Sequence, residues 1–192
     1  MELISEAQLP TKFGNFTIKV FKNPISLVEH FVLQNSEMEA VTPMVRIHSE
    51  CATGDIFGSL RCDCQDQLHQ ALELIAANKN GAVIYLKNQE GRGIGISNKI
   101  KAYHLQEQGL NTYEANEALG LPADARNYDD ATAILKILGY TSISLITNNP
   151  LKEAAVSAAG IRFTTHHVNY AANEHNKAYL DAKINIGHHH IK

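Results

Sequence analysis

The sequence predicts an α/β fold, in which a mixed sheet with an antiparallel-leaning N-terminal half is flanked by helices. Short runs in the first half of the chain alternate apolar and polar residues, as half-buried strands do. After Cys64, segments of helical periodicity alternate with short apolar runs, which is typical of strand–helix–strand units around a largely parallel sheet. The 192 residues suffice for one domain, so we expect a single domain over residues 1–192.

Two strands are predicted in the first half from their alternation. Residues 16–20 (Phe-Thr-Ile-Lys-Val) and 45–48 (Val-Arg-Ile-His) each place apolar side chains at every second position. Residues 25–33 between them form a mixed apolar stretch whose pattern favours neither a helix nor a strand.

A helix and a strand open the second half. Leu68, Leu72 and Ile75 recur at helical spacing, so we expect an amphipathic helix that ends near Gly81. Residues 82–86 (Ala-Val-Ile-Tyr-Leu) are uniformly apolar apart from the tyrosine hydroxyl, which predicts a buried strand.

A glycine-rich loop over residues 89–95 leads into a second helix of this half. That helix is expected over about residues 97–108, because Gly109 stands where a helix stop belongs. The remaining predicted elements are a helix over residues 129–138 closed by Gly139, a strand over 143–146 and a helix that begins at Pro150.

The charge of the chain is nearly balanced, with 17 Lys and Arg against 20 Asp and Glu and a formal net charge of −3. Nucleic-acid binders and proteins of anionic membrane surfaces carry a basic excess, and no run of roughly 18 apolar residues could span a bilayer. We therefore expect a cytoplasmic protein with no nucleic-acid or membrane partner. The tail of about residues 187–192, with histidines at 188–190, is expected to be disordered.

The three cysteines lie within one short segment, at Cys51, Cys62 and Cys64. An odd number of thiols cannot pair fully into disulfides, and thiolates are favoured zinc ligands. Three protein ligands would leave the fourth position open for water, as in a catalytic zinc site. Two alternatives stay open, namely buried structural cysteines and a closed site with His48 as fourth ligand. The closed site is disfavoured because residues 48 and 51 would point to opposite faces of one strand.

The glycine-rich loop matches neither the dinucleotide fingerprint nor the Walker A pattern. Its three glycines, Gly91, Gly93 and Gly95, allow backbone N–H groups to approach an anion, and Arg92 adds a fork of donors. An ordinary tight loop with Arg92 at the surface is an equal alternative.

Three further polar segments have both a functional and an ordinary interpretation. Residues 46–50 precede the first cysteine but would also suit a solvated strand face. Asp124 and Arg126 could act together or form a surface ion pair. Thr147 and Lys152 flank the start of the last predicted helix, where they could bind an anion or cap the helix.

Motifs in the same order along the chain resemble those of the GTP cyclohydrolase II family. They are residues 46–55 (Arg-Ile-His-Ser-Glu-Cys-Ala-Thr-Gly-Asp), 59–64 (Ser-Leu-Arg-Cys-Asp-Cys), 89–95 (Gln-Glu-Gly-Arg-Gly-Ile-Gly), 112–116 (Thr-Tyr-Glu-Ala-Asn), 122–126 (Pro-Ala-Asp-Ala-Arg) and 145–150 (Leu-Ile-Thr-Asn-Asn-Pro). The resemblance covers about residues 8–187. It is to the stand-alone form, because the chain has no room for the dihydroxybutanone-phosphate synthase domain of bifunctional relatives.

The resemblance implies an enzyme that hydrolyses GTP to formate, pyrophosphate and 2,5-diamino-6-(5-phosphoribosylamino)pyrimidin-4(3H)-one, the first step of riboflavin biosynthesis. It implies one zinc ion per subunit on Cys51, Cys62 and Cys64, magnesium with the triphosphate, and a homodimer. The implied contacts to GTP come from Arg46, Ile47, His48, Ser49, Glu50, Gln67, Glu90, Gly91, Arg92, Thr112, Thr147 and Lys152.

The resemblance also implies the catalytic residues. It implies Asp124 as proton acceptor, Arg126 as the group that attacks the α-phosphorus and Tyr103 as a residue that lines the site. A guanidinium, with a pKa above about 12, stays protonated and is a poor nucleophile, so a clamp on the α-phosphate is an equal alternative for Arg126. Whether Glu50 or Glu90 accepts the guanine N–H groups stays open.

Two other functions stay open. One is a relative that opens a different ring, such as the homologues of uracil catabolism, or that halts at the formylated pyrimidine. The other is a structural-zinc nucleotide-binding module, which a fourth protein ligand on the zinc would support. The combination of Arg92, Asp124, Arg126 and Lys152 favours a triphosphate substrate.

Overall fold

The computed structural model describes residues 1–168, 172–185, 187, 189 and 190, which form a seven-stranded mixed sheet with helices on both faces. This confirms the predicted fold class. The strands are β1 (Glu2–Thr11), β2 (Gly14–Lys22), β3 (Glu29–Ser36), β4 (Met44–Ser49), β5 (Asn80–Leu86), β6 (Ser142–Ile146) and β7 (Arg162–His166). The helices are α1 (Ala52–Asp55), α2 (Cys64–Asn78), α3 (Glu90–Gly93), α4 (Ile96–Glu107), α5 (Thr112–Ala118), α6 (Asp129–Ile137), α7 (Pro150–Ala158) and α8 (Lys177–Asn185).

The sheet changes from antiparallel to parallel along its width, as the sequence predicts. Its strand order is β1-β2-β3-β5-β4-β6-β7. The pairs from β1 to β5 are antiparallel, whereas β5, β4, β6 and β7 pair in parallel. Strand β4 therefore lies between two parallel neighbours, and the carboxyl ends of β4, β5 and β6 share one edge of the sheet.

The helices pack on opposite faces of β5 because its side chains alternate between two apolar clusters. Ile84 belongs to the cluster that contains Ile134 of α6 and Val156 of α7. Val83 belongs to the cluster that contains Ile75 of α2. Burial of both clusters fixes the register of the sheet, since a shift by one residue would expose each set.

Helix α2 ends earlier than the sequence predicts. Lys79 adopts the left-handed conformation (φ 59°) after the last helical residue, and its N–H bonds to the carbonyls of Ile75 and Ala76. The predicted stop, Gly81, instead lies within β5, where a Cβ atom would be 1.9 Å from the carbonyl oxygen of Met44. Gly81 is therefore required for the close approach of β4.

The later predicted elements are present, with shifts of a residue or two at their ends. Gly109 and Gly139 follow α4 and α6 with positive φ angles of 104° and 76°. Helix α7 begins at Pro150, and the side chain of Asn149 accepts a hydrogen bond from the N–H of Leu151. This is the capping arrangement expected for a helix with proline in its first turn.

Several elements were not predicted from the alternation of apolar residues. They are β1, β7, α5, α8 and the short helices α1 and α3, as well as β3, which takes up the end of the unassigned stretch 25–33. That stretch begins as a turn, in which the side-chain oxygen of Asn23 accepts hydrogen bonds from the N–H groups of Ile25 and Ser26.

Part of the tail that was expected to be disordered lies within the described residues. The N–H groups of Gly187 and His189 donate to carbonyls of α8, and that of His190 donates to the carbonyl of Asn148. Residues 188, 191 and 192 lie outside the described residues. No helix in the described part of the chain has both the length and the hydropathy that a membrane span needs.

Candidate active site

The predicted site residues collect at the carboxyl edge of the parallel strands. Cys51 follows β4, the glycine-rich loop follows β5 and Thr147 follows β6, so their loops converge on one cavity. The predicted residues that line this cavity are Arg46, His48, Ser49, Glu50, Cys51, Cys62, Cys64, Gln67, Gly91, Arg92, Tyr103, Thr112, Arg126, Thr147 and Lys152.

Three predicted site residues lie behind the cavity wall, and each contacts a residue that lines it or a zinc-site neighbour. Ile47 is fully buried in β4, and its carbonyl accepts a hydrogen bond of 2.7 Å from the Nζ atom of Lys152. Glu90 is buried against Lys99, and Asp124 holds Arg126. These three residues support the cavity from outside.

The three thiols form a compact cluster. The Sγ atoms of Cys51, Cys62 and Cys64 all lie within 4.8 Å of one another, and those of Cys51 and Cys62 are 3.7 Å apart. Tetrahedral zinc with Zn–S bonds of about 2.3 Å would separate its sulfur ligands by about 3.8 Å. In the part of the chain that the structure describes, no His, Asp or Glu joins the cluster as a fourth member. The donor set therefore fits a zinc ion with one open position.

The backbone next to the thiols leaves room for them only because residue 54 is glycine. A Cβ atom on Gly54 would lie 2.9 Å from the Sγ atom of Cys62 and 3.2 Å from that of Cys51. Hydrogen bonds from Cys62 and Cys64, together with the nearby Lys99 ammonium, lower the pKa of the Cys51 thiol. Deprotonation of this thiol suits a metal ligand.

A buried lysine that the sequence did not indicate supports the first thiol. The Nζ atom of Lys99 lies 3.1 Å from the Sγ atom of Cys51, 2.8 Å from the hydroxyl of Thr53 and 2.5 Å from Oε1 of Glu90. The other oxygen of Glu90 accepts a hydrogen bond of 2.6 Å from the N–H of Ala52. Lys99 and Glu90 together hold the loop that carries Cys51.

We expect the Lys99→Met variant to lose about 3–5 kcal/mol of unfolding free energy, because it leaves the Glu90 carboxylate buried without its cation. The double variant Glu90→Gln/Lys99→Met should lose less than Lys99→Met alone. Urea unfolding of the metal-free protein measures both effects. Lys101→Met, on the exposed face of the same helix, is the matched control. Losses that simply add in the double variant would show that the two charges are not coupled.

His48 is directed toward a carboxylate rather than toward the thiol cluster. Its Nε2 atom lies 3.1 and 3.2 Å from the two oxygens of Asp55. Asp55 also accepts hydrogen bonds from the N–H of Cys51 (3.0 Å) and the hydroxyl of Tyr85 (2.7 Å). Burial lowers the pKa of His48 despite the Asp55 hydrogen bond, so the imidazole is neutral near pH 7.

The glycine-rich loop turns sharply and buries its arginine. Gly91 and Arg92 have φ angles of 59° and 67°, and a Cβ on Gly91 would lie 2.8 Å from Cγ1 of Ile94. The Arg92 guanidinium stacks 3.6 Å from the ring centre of Tyr113, and its Nη1 atom is buried without a hydrogen-bond partner in the described structure. Arg92 therefore lies in the cavity wall, where its guanidinium can donate hydrogen bonds, and it is not a surface residue.

Three buried cations of the cavity have no carboxylate partner among the described residues. They are Arg46, Arg92 and Lys152, while the ion pairs nearby are made by other cations. Burial lowers the pKa of Lys152 and of Arg92, and Arg46 and Arg126 lower that of Lys152 further. Because buried cations without a counter-ion are costly, this arrangement favours the binding of an anion.

Arg126 is held by a carboxylate two residues earlier in the chain. Its Nε and Nη2 atoms donate to the two oxygens of Asp124 at 2.9 and 2.5 Å. Burial opposes the charge of Arg126, but the hydrogen bonds to Asp124 outweigh it and raise the pKa of the guanidinium. The pair is half-buried, with Arg126 lining the cavity, and is therefore not the exposed surface ion pair that was the alternative interpretation.

The remaining predicted residues take part in local contacts at the rim. Both oxygens of Glu50 are engaged, one by the Lys87 ammonium and the other by the N–H of Asn88 (2.8 Å). The hydroxyl of Tyr103 lies 3.2 Å from that of Thr53, close to the thiols. Residues of the cavity that sequence reasoning missed are Arg61, Gln89, Lys99, Tyr179, Lys183 and His189.

Comparisons with known proteins agree with these features. A sequence model of the family described as GTP cyclohydrolase II matches residues 2–168. The riboflavin biosynthesis protein RibBA of Bacillus subtilis (strain 168) is 49% identical over 184 residues, which are 94% of this chain and 46% of that protein. RibBA of Aquifex aeolicus (strain VF5) is 44% identical over 191 residues, covering 98% and 47%. The chain thus spans about half the length of the curated relatives it matches.

A solved structure is also similar at the level of the chain trace. The two-domain 3,4-dihydroxy-2-butanone 4-phosphate synthase RibBX of A. baumannii superposes with a TM-score of 0.45 at 16% identity, over 88% of this chain and 40% of that one. Similarity this distant carries no argument about the site.

Proposed function

Since this chain belongs to the GTP cyclohydrolase II family, we propose that it opens the imidazole ring of GTP and releases formate and pyrophosphate. This proposal is supported above all by two kinds of chemical group that line the same cavity. A cluster of three thiols lies at one part of the wall, and three buried cations without carboxylate partners among the described residues lie at another. The first suits a metal that activates water, and the second suits a triphosphate.

The thiols are proposed to hold zinc. Cys51, Cys62 and Cys64 would be its ligands, with Lys99 and Asp55 fixing the loop that carries Cys51. When bound, zinc supplies the Lewis acidity that activates water for attack on the ring at neutral pH. The chain itself holds the three ligands at one part of the cavity wall.

The cations are proposed to bind the triphosphate. Arg46, Arg92 and Lys152 would approach the phosphates, with magnesium entering as part of the GTP complex. The unpartnered Nη1 atom of Arg92 and the unpartnered Nε atom of Arg46 leave donors for phosphate oxygens. Thr112 and Thr147 line the same cavity and would add hydroxyl donors.

Glu50 is proposed as the carboxylate that reads the guanine. It lines the cavity, whereas Glu90 lies behind the wall with one oxygen on Lys99 and the other on the N–H of Ala52. A carboxylate on the cavity side can accept the N1–H and N2–H groups of guanine.

Arg126 is proposed to act as a clamp on the α-phosphate, with Asp124 holding it in place. The fork of two hydrogen bonds to Asp124 and the raised pKa of the guanidinium both oppose loss of the proton that nucleophilic attack would need. We expect Arg126→Lys to lower the rate of pyrophosphate release about a hundredfold without changing the products.

Rapid quenching of the reaction with GTP labelled at the α-phosphate measures whether a phosphorylated protein forms. The clamp predicts that neither the unmodified protein nor Arg126→Lys carries label. A labelled protein that disappears in Arg126→Lys would contradict the clamp and favour covalent attack by Arg126.

The function itself is tested by incubating the zinc-loaded protein with GTP and Mg²⁺. Formate, pyrophosphate and the diaminopyrimidine, which is detected by its absorbance, should form in equal amounts. Pyrophosphate without formate would indicate arrest at the formylated pyrimidine, and neither product would indicate a nucleotide-binding module or a different ring as substrate.

Oligomeric state and location are proposed from the family resemblance. We propose a cytoplasmic homodimer in which each chain carries its own zinc ion. Light scattering of the purified protein should give twice the mass of one 21.2 kDa chain.

A further inference from the structure

The cavity extends into residues that lie beyond the match to the family model. That match ends at residue 168, and Tyr179, Lys183 and His189 also line the cavity. We infer that residues 172–185, 187, 189 and 190 contribute a wall of the nucleotide site, in which Lys183 positions the Cys-x-Cys turn and His189 contacts the phosphates. The role of His189 rests on the proposed function, whereas the role of Lys183 concerns the zinc site alone.

Lys183 is joined to the zinc site by a buried ion pair. Its Nζ atom lies 2.6 Å from Oδ1 of Asp63, and the two side chains are 8% and 1% exposed. Asp63 stands between Cys62 and Cys64, so the conformation of this residue sets the directions of both thiols. Across 120 positions of sequence, helix α8 thus fixes the turn that carries two zinc ligands.

Hydrogen bonds also connect Asp63 to the phosphate end of the cavity. The other oxygen of Asp63 accepts a hydrogen bond of 2.6 Å from Nε2 of Gln67, whose Oε1 atom accepts from Arg46. Arg46 in turn donates to the carbonyl of Ile146 at the end of β6. Lys183 therefore ends a continuous polar chain that joins the thiol turn to a cation of the proposed triphosphate site.

His189 lies at the phosphate end of the cavity. Four cations act on its imidazole electrostatically, namely Lys183, Lys152, Arg126 and Arg92. Burial and the field of these cations lower its pKa to about 3, so the imidazole is neutral in the absence of ligand. A neutral imidazole among cations can donate one N–H to a phosphate oxygen without an ion pair of its own.

The backbone holds His189 between two elements of the site. Its N–H donates to the carbonyl of Lys183 at 3.0 Å, and the N–H of the following residue, His190, donates to the carbonyl of Asn148 at 2.9 Å. Asn148 belongs to the loop between β6 and α7 that carries Thr147. The segment is thus tied to both the helix and the phosphate-side loop.

The role of Lys183 is tested by zinc affinity, measured by competition with a chromophoric chelator. We expect Lys183→Met and Asp63→Asn to weaken zinc binding by about ten- to a hundredfold, the range for residues that orient metal ligands. Lys183→Arg should restore most of the affinity. Lys177→Met, on the exposed side of α8, should bind zinc like the unmodified protein.

Loss of one partner leaves a buried charge, so a single variant could fail to fold. The double variant Asp63→Asn/Lys183→Met removes both charges and should fold while still binding zinc weakly. Zinc affinity equal to that of Lys177→Met in either Lys183→Met or the double variant would overturn the positioning role.

The role of His189 is tested by equilibrium binding of a non-hydrolysable GTP analogue. We expect His189→Ala to raise its dissociation constant about tenfold, the loss typical of one hydrogen bond to a charged group, and to leave guanosine binding unchanged. His175→Ala, an exposed histidine of the same segment, is the control. Analogue binding by His189→Ala that matches the control would overturn the phosphate contact.

These measurements separate the inference from the function on which part of it rests. Suppose that Lys183→Met lost zinc affinity and His189→Ala lost analogue affinity, but the unmodified protein released no formate. This result would reject the proposed reaction and leave the roles of Lys183 and His189 intact. If formate were released and neither variant differed from its control, only the proposed roles of Lys183 and His189 would be rejected.

Discussion

Cys62→Ser is expected to abolish formate release from GTP. The substitution removes one of three soft thiolate ligands and leaves two, which cannot complete the tri-thiolate set that suits zinc. Zinc affinity should fall by more than about a hundredfold, because a hundredfold is the upper end of the loss caused by substituting residues that only contact the metal ligands. Formate release and bound zinc, both measured after incubation with equimolar zinc, check this result.

The control for this variant lies in the same loop. Leu60→Ser changes a side chain that is 59% exposed and outside the thiol cluster, so formate release should stay near that of the unmodified protein. Unchanged formate release by Cys62→Ser without bound zinc would remove the metal from the reaction.

Lys152→Met is expected to have the second largest effect, with opposite consequences for catalysis and stability. Removal of a buried cation that pairs with a phosphate costs about 2–5 kcal/mol of binding free energy, because the phosphate is left without its partner. We therefore expect kcat/KM for GTP to fall by about 30-fold to several thousandfold. The ligand-free protein should become more stable, because burial and the neighbouring Arg46 and Arg126 disfavour the charge of Lys152 in the folded state.

Steady-state kinetics and urea unfolding measure the two effects of Lys152→Met. Lys136→Met removes an exposed lysine of α6 and should change neither quantity appreciably. A lower stability together with an unaltered kcat/KM would mean that Lys152 is a structural residue and not a ligand of the triphosphate.

The parts of the fold with regularly spaced apolar residues could be predicted from the sequence. Alternation predicted β2 and β4, and helical spacing predicted α2, because apolar side chains at these spacings pack into the two clusters. Strand β1 has no such set of buried residues, since it lies at the sheet edge with mostly exposed side chains and is held by backbone pairing with β2. An exposed edge strand leaves no periodic signal.

Two missed helices differ in what could have revealed them. Helix α5 begins with a capping box, in which the side chain of Asn111 accepts from the N–H of Glu114 and Glu114 accepts from the N–H of Asn111. The spacing Asn-x-x-Glu is visible in the sequence and would have indicated this helix. Helix α8 buries the charged Lys183 beside its apolar residues, so the apolar pattern alone is too weak to predict it.

The site was predictable as a list of residues but not as an arrangement. The motifs supplied the thiols and the cations that line the cavity, but they did not indicate that the Glu90 carboxylate contacts Lys99. The Lys99–Cys51 and Lys183–Asp63 contacts join residues 48 and 120 positions apart. Only the order of the strands brings such distant residues together, and that order follows from the whole sheet.

We expect the thiol cluster to bind the zinc ion that ring opening of GTP requires, in the cavity that also contains the buried cations. The strongest test is a titration of the metal-free protein with zinc in the presence of GTP and Mg²⁺, with formate measured at each step. The rate of formate release should rise in proportion to bound zinc and level off at one zinc ion per chain. Full formate release before zinc is added, or none when the three thiols are saturated with zinc, would contradict a zinc-dependent reaction at this cluster.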